Sequence, residues 1–275
     1  MKGPGRTALL YVGGLALLVV GAFPLFWMLS TSLKPSAEIF ATPPRLMPGH
    51  PTLENFDRLF ADTAFVTFFR NSALVSLATV ALTLTVSALG AYGLTRFAFA
   101  GRDKVAGLIL VTYMFAPVMI IIPFYILVKQ FGLVNTRVAL VLSYTTFCLP
   151  FCLWLLRAFF QSIPLELEEA ALVDGAHRGK AVWYVVLPLA LPGLIAAAIF
   201  TFILAWNDFL FALVLITSEE LKTLPVGVND LFNATIVDWG LIMAAGVMIT
   251  VPTVVFFAAV QRYLVQGWTA GGVKG

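Results

Sequence analysis

Long apolar runs alternate with polar segments along this chain, and these runs predict its architecture. About 20 apolar residues are needed for a helix to cross a bilayer, and six runs reach that length, at residues 9–33, 70–95, 105–128, 138–160, 192–217 and 239–262. The first run is far longer than the ~7–15-residue apolar region of a cleaved signal peptide. We therefore expect it to be retained as the first spanning helix, with a kink at Pro24.

Composition agrees with this pattern. The 275 residues are 60% hydrophobic and 11% charged, with a mean hydropathy of +0.96, whereas soluble domains are roughly 45–50% apolar and about 25% charged. The sequence therefore predicts an all-α polytopic membrane protein with six transmembrane helices. Residues 1–275 would form a single transmembrane domain with its core at about 70–262 and a cytoplasmic tail at 264–275.

The distribution of basic residues predicts the orientation. If the N-terminus is cytoplasmic, ten of the seventeen Lys and Arg residues fall in cytoplasmic segments, many of them in short loops where the positive-inside rule applies. An even number of spans then places the C-terminus on the same side. We expect an N-in, C-in topology.

Two segments then face the outside. Residues 34–69 begin with a proline-rich stretch and continue with helically spaced apolar residues from Leu53 to Phe60, which predict an amphipathic helix at the outer interface. The other segment, about 218–238, is polar and interrupted by Pro225 and Gly227. Either segment could contact an external partner or simply connect two spans.

Polar residues inside the apolar runs are informative because each is costly in lipid unless it has a partner. Asp208, beside Asn207 in the fifth run, is either a pathway residue or a structural hydrogen-bonding group. Pro117 and Pro123 should bend the third run. Hydroxyl side chains form a stripe along the second run, which favours helix packing over contact with a solute; Ser76 and Thr79 are its pathway candidates, and the full set is Ser72, Ser76, Thr79, Thr83 and Ser87.

The chain lacks the sequence signs of catalysis. It contains no GxxxxGK[S/T] phosphate-binding loop and no His/Cys/Asp cluster suited to a metal, and Cys148 and Cys152 lie in an apolar segment as small buried residues. We expect no catalytic residue, no metal site and no cofactor in this chain. Uphill transport would need an ion gradient or a separate energy-supplying chain.

The longest polar interruption in the second half of the chain carries the most specific motif. Glu169-Ala170-Ala171 is followed after three residues by Gly175, and after nine more by Val185-x-Leu187-Pro188. This spacing resembles the cytoplasmic signature of permease subunits of ATP-binding-cassette (ABC) importers, with Val185 replacing the usual isoleucine.

The resemblance extends over nearly the whole chain to MalG-type permease subunits of carbohydrate ABC importers. It is carried by SLKP at 32–35, Asn71-Ser72, RFAFAGRDK at 96–104, WNDF at 206–209, and a Gly-x-Thr-x-Gly-x-Val-Lys-Gly tail at 267–275. This implies a coupling helix between spans four and five that docks on an ATPase subunit. Gly175 suits the turn after that helix because glycine tolerates a positive φ.

The resemblance also implies which residues meet which partner. The ATPase would be contacted by Glu169, Ala170, Ala171, Asp174 and Gly175, and by the tail residues Gly271, Val273, Lys274 and Gly275. An extracytoplasmic sugar-binding protein would be contacted by Leu224, Pro225, Val226 and Gly227.

The implied assembly is a heterodimer with a MalF-like second permease, two ATPase subunits that hold ATP and Mg, and the binding protein, in a bacterial or archaeal cell membrane. A di- or oligosaccharide would be the substrate, and no nucleic acid is expected as a partner. The alternatives are an ion-gradient-driven secondary transporter and a non-transporting scaffold. Internal repeats and buried titratable pairs, which such secondary transporters often carry, are not visible in the sequence.

Overall fold

The structure is a computed structural model that describes the backbone of residues 4–271 and the side chains of residues 10–259. Within those residues all regular structure is helical. The α-helices are α1 (Pro4–Ser32), α2 (Ser36–Ile39), α3 (Glu54–Ala61), α4 (Phe65–Arg96), α5 (Arg102–Thr112), α6 (Pro117–Gln130), α7 (Arg137–Ser162), α8 (Leu165–Val173), α9 (Arg178–Ala181), α10 (Leu187–Leu189), α11 (Leu191–Asn207), α12 (Leu210–Leu215), α13 (Leu224–Phe232) and α14 (Trp239–Gly271). A π-helical segment (Val182–Val186) joins α9 to α10, and a 3-10 turn (Glu219–Leu221) precedes α13.

Four stretches are long and apolar enough to cross a membrane as continuous helices, namely Leu10–Ser32, Phe65–Arg96, Arg137–Ser162 and Trp239–Ala259. Two further candidates are bent pairs: α5 with α6, bent by 98°, and Arg178–Leu189 with Leu191–Asn207, bent by 76°. The prediction of a helical, multi-pass membrane protein is confirmed. The described residues hold four continuous spans, and up to six if each bent pair is one span.

The third apolar run breaks where a bend was expected. Ala116 is extended, with ψ 133°, because a following proline disfavours the helical conformation. Pro117 then opens α6 in the first turn, where its missing N–H leaves no hydrogen bond unmade. Pro123 lies inside α6. Pro117 therefore starts α6, four residues after the C-terminal cap of α5 at Tyr113.

The fifth run is also two helices. Pro192 lies in the first turn of α11, a position at which proline is favoured. The helix ends at Asn207, Asp208 is extended (φ −67°, ψ 128°), and α12 begins at Leu210. The run predicted over 192–217 is therefore interrupted by one break, between Asn207 and Leu210.

The chain divides into two compact units. The first comprises Met1–Val66 and Gly227–Pro252. In it the Asn55 side chain is buried and donates to the carbonyls of Ser32 and Lys34, each at 2.8 Å. The amphipathic helix expected near residue 53 is α3, and its Leu59 is fully buried.

The second unit comprises Thr67–Val226 and Thr253–Gly275. Its core is formed chiefly where α7 packs on α11, around buried Leu156, Phe160 and Ala197. All five hydroxyl residues of the α4 stripe are buried, in agreement with the packing interpretation. Cys148 and Cys152 are buried free thiols, as expected.

Candidate functional site

Helix α8 carries the Glu-Ala-Ala motif, and its end has a defined geometry. After the C-cap residue Asp174, Gly175 adopts φ +86°. The Gly175 N–H donates to the Leu172 carbonyl (3.1 Å) and the Ala176 N–H to the Ala171 carbonyl (3.0 Å). This pair of bonds is a Schellman motif, which needs a left-handed residue at this position. The positive φ expected for Gly175 is confirmed.

Two opposite faces of α8 have different surroundings. Glu168 is buried, whereas Glu169 and Ala170 are exposed and Val173 is 87% exposed. At 100° per residue, the three exposed residues lie on the side of the helix opposite Glu168. We call Glu169, Ala170 and Val173 the outward face of α8. Small and apolar side chains on an exposed helix face suit close contact with another protein surface.

The buried side of α8 is tied to the C-terminal end of α4. The Arg96 Nε lies 2.9 Å from the Glu168 Oε2, and the Tyr92 hydroxyl donates to the Glu168 Oε1. Arg96 also donates to the Ile163 carbonyl at 3.1 Å. The Arg96 and Glu168 side chains are 10% and 6% exposed. We call Tyr92, Arg96 and Glu168 the α4–α8 cluster.

A second contact reinforces this attachment. Helix α9 begins at Arg178, and its guanidinium lies 5.1 Å from the centre of the Phe97 ring, directly after α4. A cation over an aromatic face is attracted by the ring quadrupole. Both short helices of the polar segment, α8 and α9, therefore contact the same end of α4.

The opposite end of α4 holds the segment before α13. The Asn71 Nδ2 donates to the carbonyls of Glu220 (2.8 Å) and Lys222 (2.9 Å), and the Asn71 Oδ1 accepts from the Arg137 Nε at 3.1 Å. The Ser72 hydroxyl accepts the Leu224 N–H at 2.7 Å. Residues 220–224 are thus fastened to the first turns of α4.

Asn135 fastens the same segment further upstream. Its side-chain oxygen accepts from the Thr217 N–H, the Ser218 N–H and the Ser218 hydroxyl, each at 3.0 Å. Asn135 adopts φ +62°, a conformation that asparagine tolerates better than most residues. Two asparagine side chains, from Asn71 and Asn135, therefore bond four backbone groups of 217–222.

The two polar clusters lie far apart along α4. Asn71 and Arg96 are about 25 residues apart, which is roughly 37 Å at 1.5 Å per residue. The hydrocarbon core of a bilayer is roughly 30 Å thick. The α4–α8 cluster and the 217–224 segment are thus separated by more than one membrane core.

The expected binding-protein contacts are largely buried in this conformation. Leu224 is 0% and Val226 3% exposed, and Pro225 is half-buried; with Gly227 they form the first turn of α13. Pro225 does not interrupt this helix, because a proline in the first turn removes no helical hydrogen bond. A continuous exposed stretch of this outer segment runs over 233–237, where Ile236 is 84% exposed.

The expected pathway residues fall into three environments. The Asp208 Oδ2 accepts the Tyr144 hydroxyl at 2.8 Å and the N–H groups of Phe211 (3.1 Å) and Ala212 (3.2 Å), so it caps α12. Asn207 is exposed and donates to the Ile203 carbonyl on its own helix. Ser76 and Thr79 are fully buried; the Thr79 hydroxyl donates to the Val75 carbonyl, and the Ser76 Oγ has no hydrogen-bond partner.

Comparison with known proteins identifies the family. Residues 85–269 match the model of the binding-protein-dependent transport system inner membrane component. The chain belongs to this family.

Individual relatives agree with that assignment. This permease is 38% identical over 265 residues to the inner membrane ABC transporter permease protein YcjP of Escherichia coli, with 95% of each chain covered. It is 34% identical to the trehalose/maltose transport system permease protein MalG of Thermococcus litoralis, with 98% of each covered. A crystal structure of a bacterial ABC transporter involved in alginate import matches with a TM-score of 0.85 at 25% identity, covering 96% of this chain and 99% of that one.

The family supplies the membrane-spanning component of such systems, and ATP hydrolysis belongs to a separate chain. This agrees with the sequence-based expectation of a non-catalytic permease. Among side chains 10–259, no group of three His, Cys, Asp or Glu residues could hold a metal ion. Of the tail residues expected to meet the ATPase, Gly271 ends α14, while Val273, Lys274 and Gly275 lie outside the described residues.

Sequence reasoning missed the residues that hold the two polar segments in place. Glu168 precedes the Glu-Ala-Ala motif and was not distinguished from its acidic neighbours. Asn71 and Arg96 were noticed as resemblance marks, without a role. A usable signal was present, since Asn71 and Arg96 are polar residues at opposite ends of one apolar run, where their partners must come from the adjoining loops.

Proposed function

We propose that this permease is one subunit of an ATP-driven importer that carries a di- or oligosaccharide across the cell membrane of a bacterium or archaeon. The named relatives support a carbohydrate substrate, since one serves trehalose and maltose and another imports alginate. The outward face of α8 carries the proposal. Helix α8 has nine residues, and one of its sides is bonded to the spanning helix α4 while the other is exposed. Such a helix is suited to receive force from a second protein.

The proposed topology has six spans with both termini in the cytoplasm, each bent pair counting as one span. It is supported by the excess of basic residues in the segments assigned to the inside. It is also supported by the roughly 37 Å that separate the two polar ends of α4. The α4–α8 cluster then lies at the cytoplasmic side and residues 217–224 at the outer side.

Helix α8 would be the coupling helix that docks on an ATPase subunit. Glu169 can pair with a basic group there, and Ala170 and Ala171 permit close approach because their side chains are small. Asp174 and Gly175 are exposed at the end of the helix and extend the same surface. Val173, at 87% exposure, gains from burial against a partner at roughly 25 cal/mol per Å² of apolar surface.

The other proposed partners are a MalF-like second permease, two ATPase subunits holding ATP and Mg, and an extracytoplasmic sugar-binding protein. On the outer side, the exposed stretch 233–237 is the better candidate for the binding protein, since Leu224 and Val226 are buried and act as the anchor of α13. Of the pathway candidates, Asn207 is exposed in this conformation, whereas Ser76 and Thr79 would need a rearrangement of α4 to meet a solute.

In the proposed mechanism, ATP brings the two ATPase subunits together and carries the docked coupling helices with them. The two permeases then change from an inward-facing to an outward-facing arrangement, and the binding protein releases its sugar into the cavity between them. This chain contributes the docking helix, part of the cavity wall and the outer segment.

Docking is tested with substitutions confined to the outward face of α8. In the reconstituted complex, Glu169→Lys and Ala170→Trp should lower ATP hydrolysis stimulated by the binding protein at least about tenfold, because charge and volume would both oppose seating. The control is Lys104→Gln, which removes an exposed charge in the first turn of α5. Wild-type stimulation in both α8 variants would rule out docking at this face.

Transport is tested in proteoliposomes that contain the full complex. Uptake of radiolabelled maltose, trehalose or an alginate oligosaccharide should require internal ATP and the external binding protein. Uptake that proceeds without ATP and stops when an ionophore collapses the ion gradient would show a secondary transporter instead.

A further inference from the structure

The α4–α8 cluster is more than a contact between neighbouring elements, because it attaches the α8 loop to a spanning helix. Helix α8 otherwise packs on α9 and on the π-helical segment 182–186, which belong to the same polar loop. Glu168 alone in this helix is buried, and both oxygens of its carboxylate are engaged, one by Arg96 and one by Tyr92. A push or pull on α8 therefore acts on α4 through these side chains.

Helix α4 is suited to carry such a displacement over its whole length. It runs for 32 residues without a proline, and sharp kinks in helices arise mostly at prolines or helix irregularities. Its far end holds the outer segment through Asn71 and Ser72. One continuous helix thus has the ATPase-facing loop fastened at one end and the outer segment at the other.

We propose that Tyr92, Arg96 and Glu168 form the joint through which movement of α8 reaches α4 and, along α4, the outer segment at 217–224. The proposal rests on the proposed function, because it takes α8 to be moved by an ATPase. The three residues are positioning residues: they touch neither ATP nor sugar. The geometry of Glu168 separates it from Glu169, which faces outward toward the docking partner.

The buried ion pair suits a joint because it resists separation. A buried charge that loses its partner is strongly unfavourable. Separating Arg96 from Glu168 within the protein therefore costs free energy. The hydrogen bonds also fix the direction of α8 relative to α4, since Arg96 donates to both the Glu168 carboxylate and the Ile163 carbonyl at the start of the loop. Sliding of α8 along α4 would break these bonds together.

The experiment measures whether nucleotide bound at the ATPase changes the accessibility of the outer segment to a labelling reagent. In the complete reconstituted complex, the buried Cys148 and Cys152 are replaced by alanine and a reporter is introduced as Glu219→Cys, at an exposed residue beside the tied carbonyl of Glu220. The rate of reaction with a membrane-impermeant maleimide is compared without nucleotide and with ATP plus orthovanadate. Basal ATP hydrolysis is recorded in the same samples.

In the parent complex we expect the labelling rate to change at least about fivefold with nucleotide, the lower end of ordinary coupling between two sites. Glu168→Gln and Arg96→Gln should abolish this change while basal ATP hydrolysis persists. The exchanged pair Arg96→Glu with Glu168→Arg should restore part of it, and the milder Tyr92→Phe should reduce it. Lys104→Gln is the control and should behave as the parent.

A nucleotide response that survives in assembled Glu168→Gln and Arg96→Gln complexes would overturn the proposal. So would a parent complex that hydrolyses ATP without any change at residue 219. If the Glu168→Gln and Arg96→Gln complexes fail to assemble, Tyr92→Phe decides in the same way, because it removes one hydroxyl and no charge. A parent complex that does not hydrolyse ATP at all would contradict the proposed function instead.

Discussion

Replacing Asn71 with alanine should release the outer segment from α4. The substitution removes two hydrogen bonds to the carbonyls of Glu220 and Lys222 and one from the Arg137 guanidinium. A neutral hydrogen bond contributes about 0.5–1.5 kcal/mol net and one to a charged group about 1.5–3 kcal/mol. The two bonds that hold the segment would together contribute about 1–3 kcal/mol, whereas the Arg137 bond ties α4 to α7 and not to the segment.

The lower half of that range is the better expectation. Measured interhelical hydrogen bonds in a membrane protein average only about 0.6 kcal/mol, and water at the membrane surface can replace some of the lost partners. We therefore expect the free energy of opening the segment to fall by about 1.4 kcal/mol. That corresponds to a roughly tenfold larger open population, because each 1.4 kcal/mol is a factor of ten.

Hydrogen exchange followed by mass spectrometry measures this opening directly. Peptides covering 217–224 should exchange roughly tenfold faster in Asn71→Ala, whereas peptides from the α7 core should be unchanged, since local opening need not spread to the rest of a structure. Asn71→Asp should exchange over 217–224 at least as fast as Asn71→Ala, because it loses both donors to the segment and keeps only the acceptor for Arg137.

The matched control is Asn207→Ala, whose amide donates to the Ile203 carbonyl of its own helix and holds no other segment. Its exchange over 217–224 should equal that of the parent. If Asn71→Ala also left exchange in that segment at the parent rate, Asn71 would not fasten it, and the role assigned to this end of α4 would be wrong.

Two further predictions concern packing and capping in the second unit. Gly193→Ala should destabilise by roughly 1–3 kcal/mol, because its added Cβ would lie 2.5 Å from the Phe159 ring; Gly93→Ala, where a Cβ meets nothing within 4 Å, is the control, and equal melting temperatures in detergent would contradict the argument. Asp208→Ala should cost roughly 2–4 kcal/mol, since it removes the cap of α12 and the acceptor for Tyr144. Tyr144→Phe should cost about 1 kcal/mol, and an Asp208→Ala variant that melts like the parent would leave the capping role unsupported.

The membrane class and the approximate positions of the spans could be predicted from the sequence. Runs of about 20 apolar residues have few alternatives to a bilayer, and the stripe on α4 follows from helical periodicity, because hydroxyl groups three or four residues apart share a face. The turn after α8 was also predictable: a glycine directly after a short helix is the usual residue for a left-handed cap. Gly175 occupies that position with φ +86°.

The breaks in the spans were harder to predict because a proline inside an apolar run has several outcomes. Pro123 lies within α6, yet Pro117 begins that helix after α5 has ended at Thr112. Apolar residues flank each break, so a hydropathy average over a window of about 20 residues does not show it. At Asp208 the break is compensated by the carboxylate, which caps the next helix. From the sequence alone, a polar residue at this position is equally consistent with a helix cap and with a residue that lines a transport pathway.

Which of several neighbouring polar residues is buried depends on contacts between distant parts of the chain. Glu168 and Glu169 are adjacent and chemically alike, and the sequence gives no reason to choose between them. Their separation follows from 100° of rotation per residue on a helix whose other contacts fix its orientation. Leu224 and Val226 illustrate the same limit, since a loop motif that suggested an external contact is the buried anchor of α13.

The different surroundings of Glu168, which is buried, and Glu169, which is exposed, have a consequence for the exchange of partners during evolution. The contacts that hold α8 in this chain lie on one side of the helix, and Glu169, Ala170 and Val173 are exposed away from them. Under the docking that we propose, substitutions at these three residues would change the surface presented to an ATPase and leave the bonds of Glu168 in place. The docking surface and the fold of the permease could then change independently of each other.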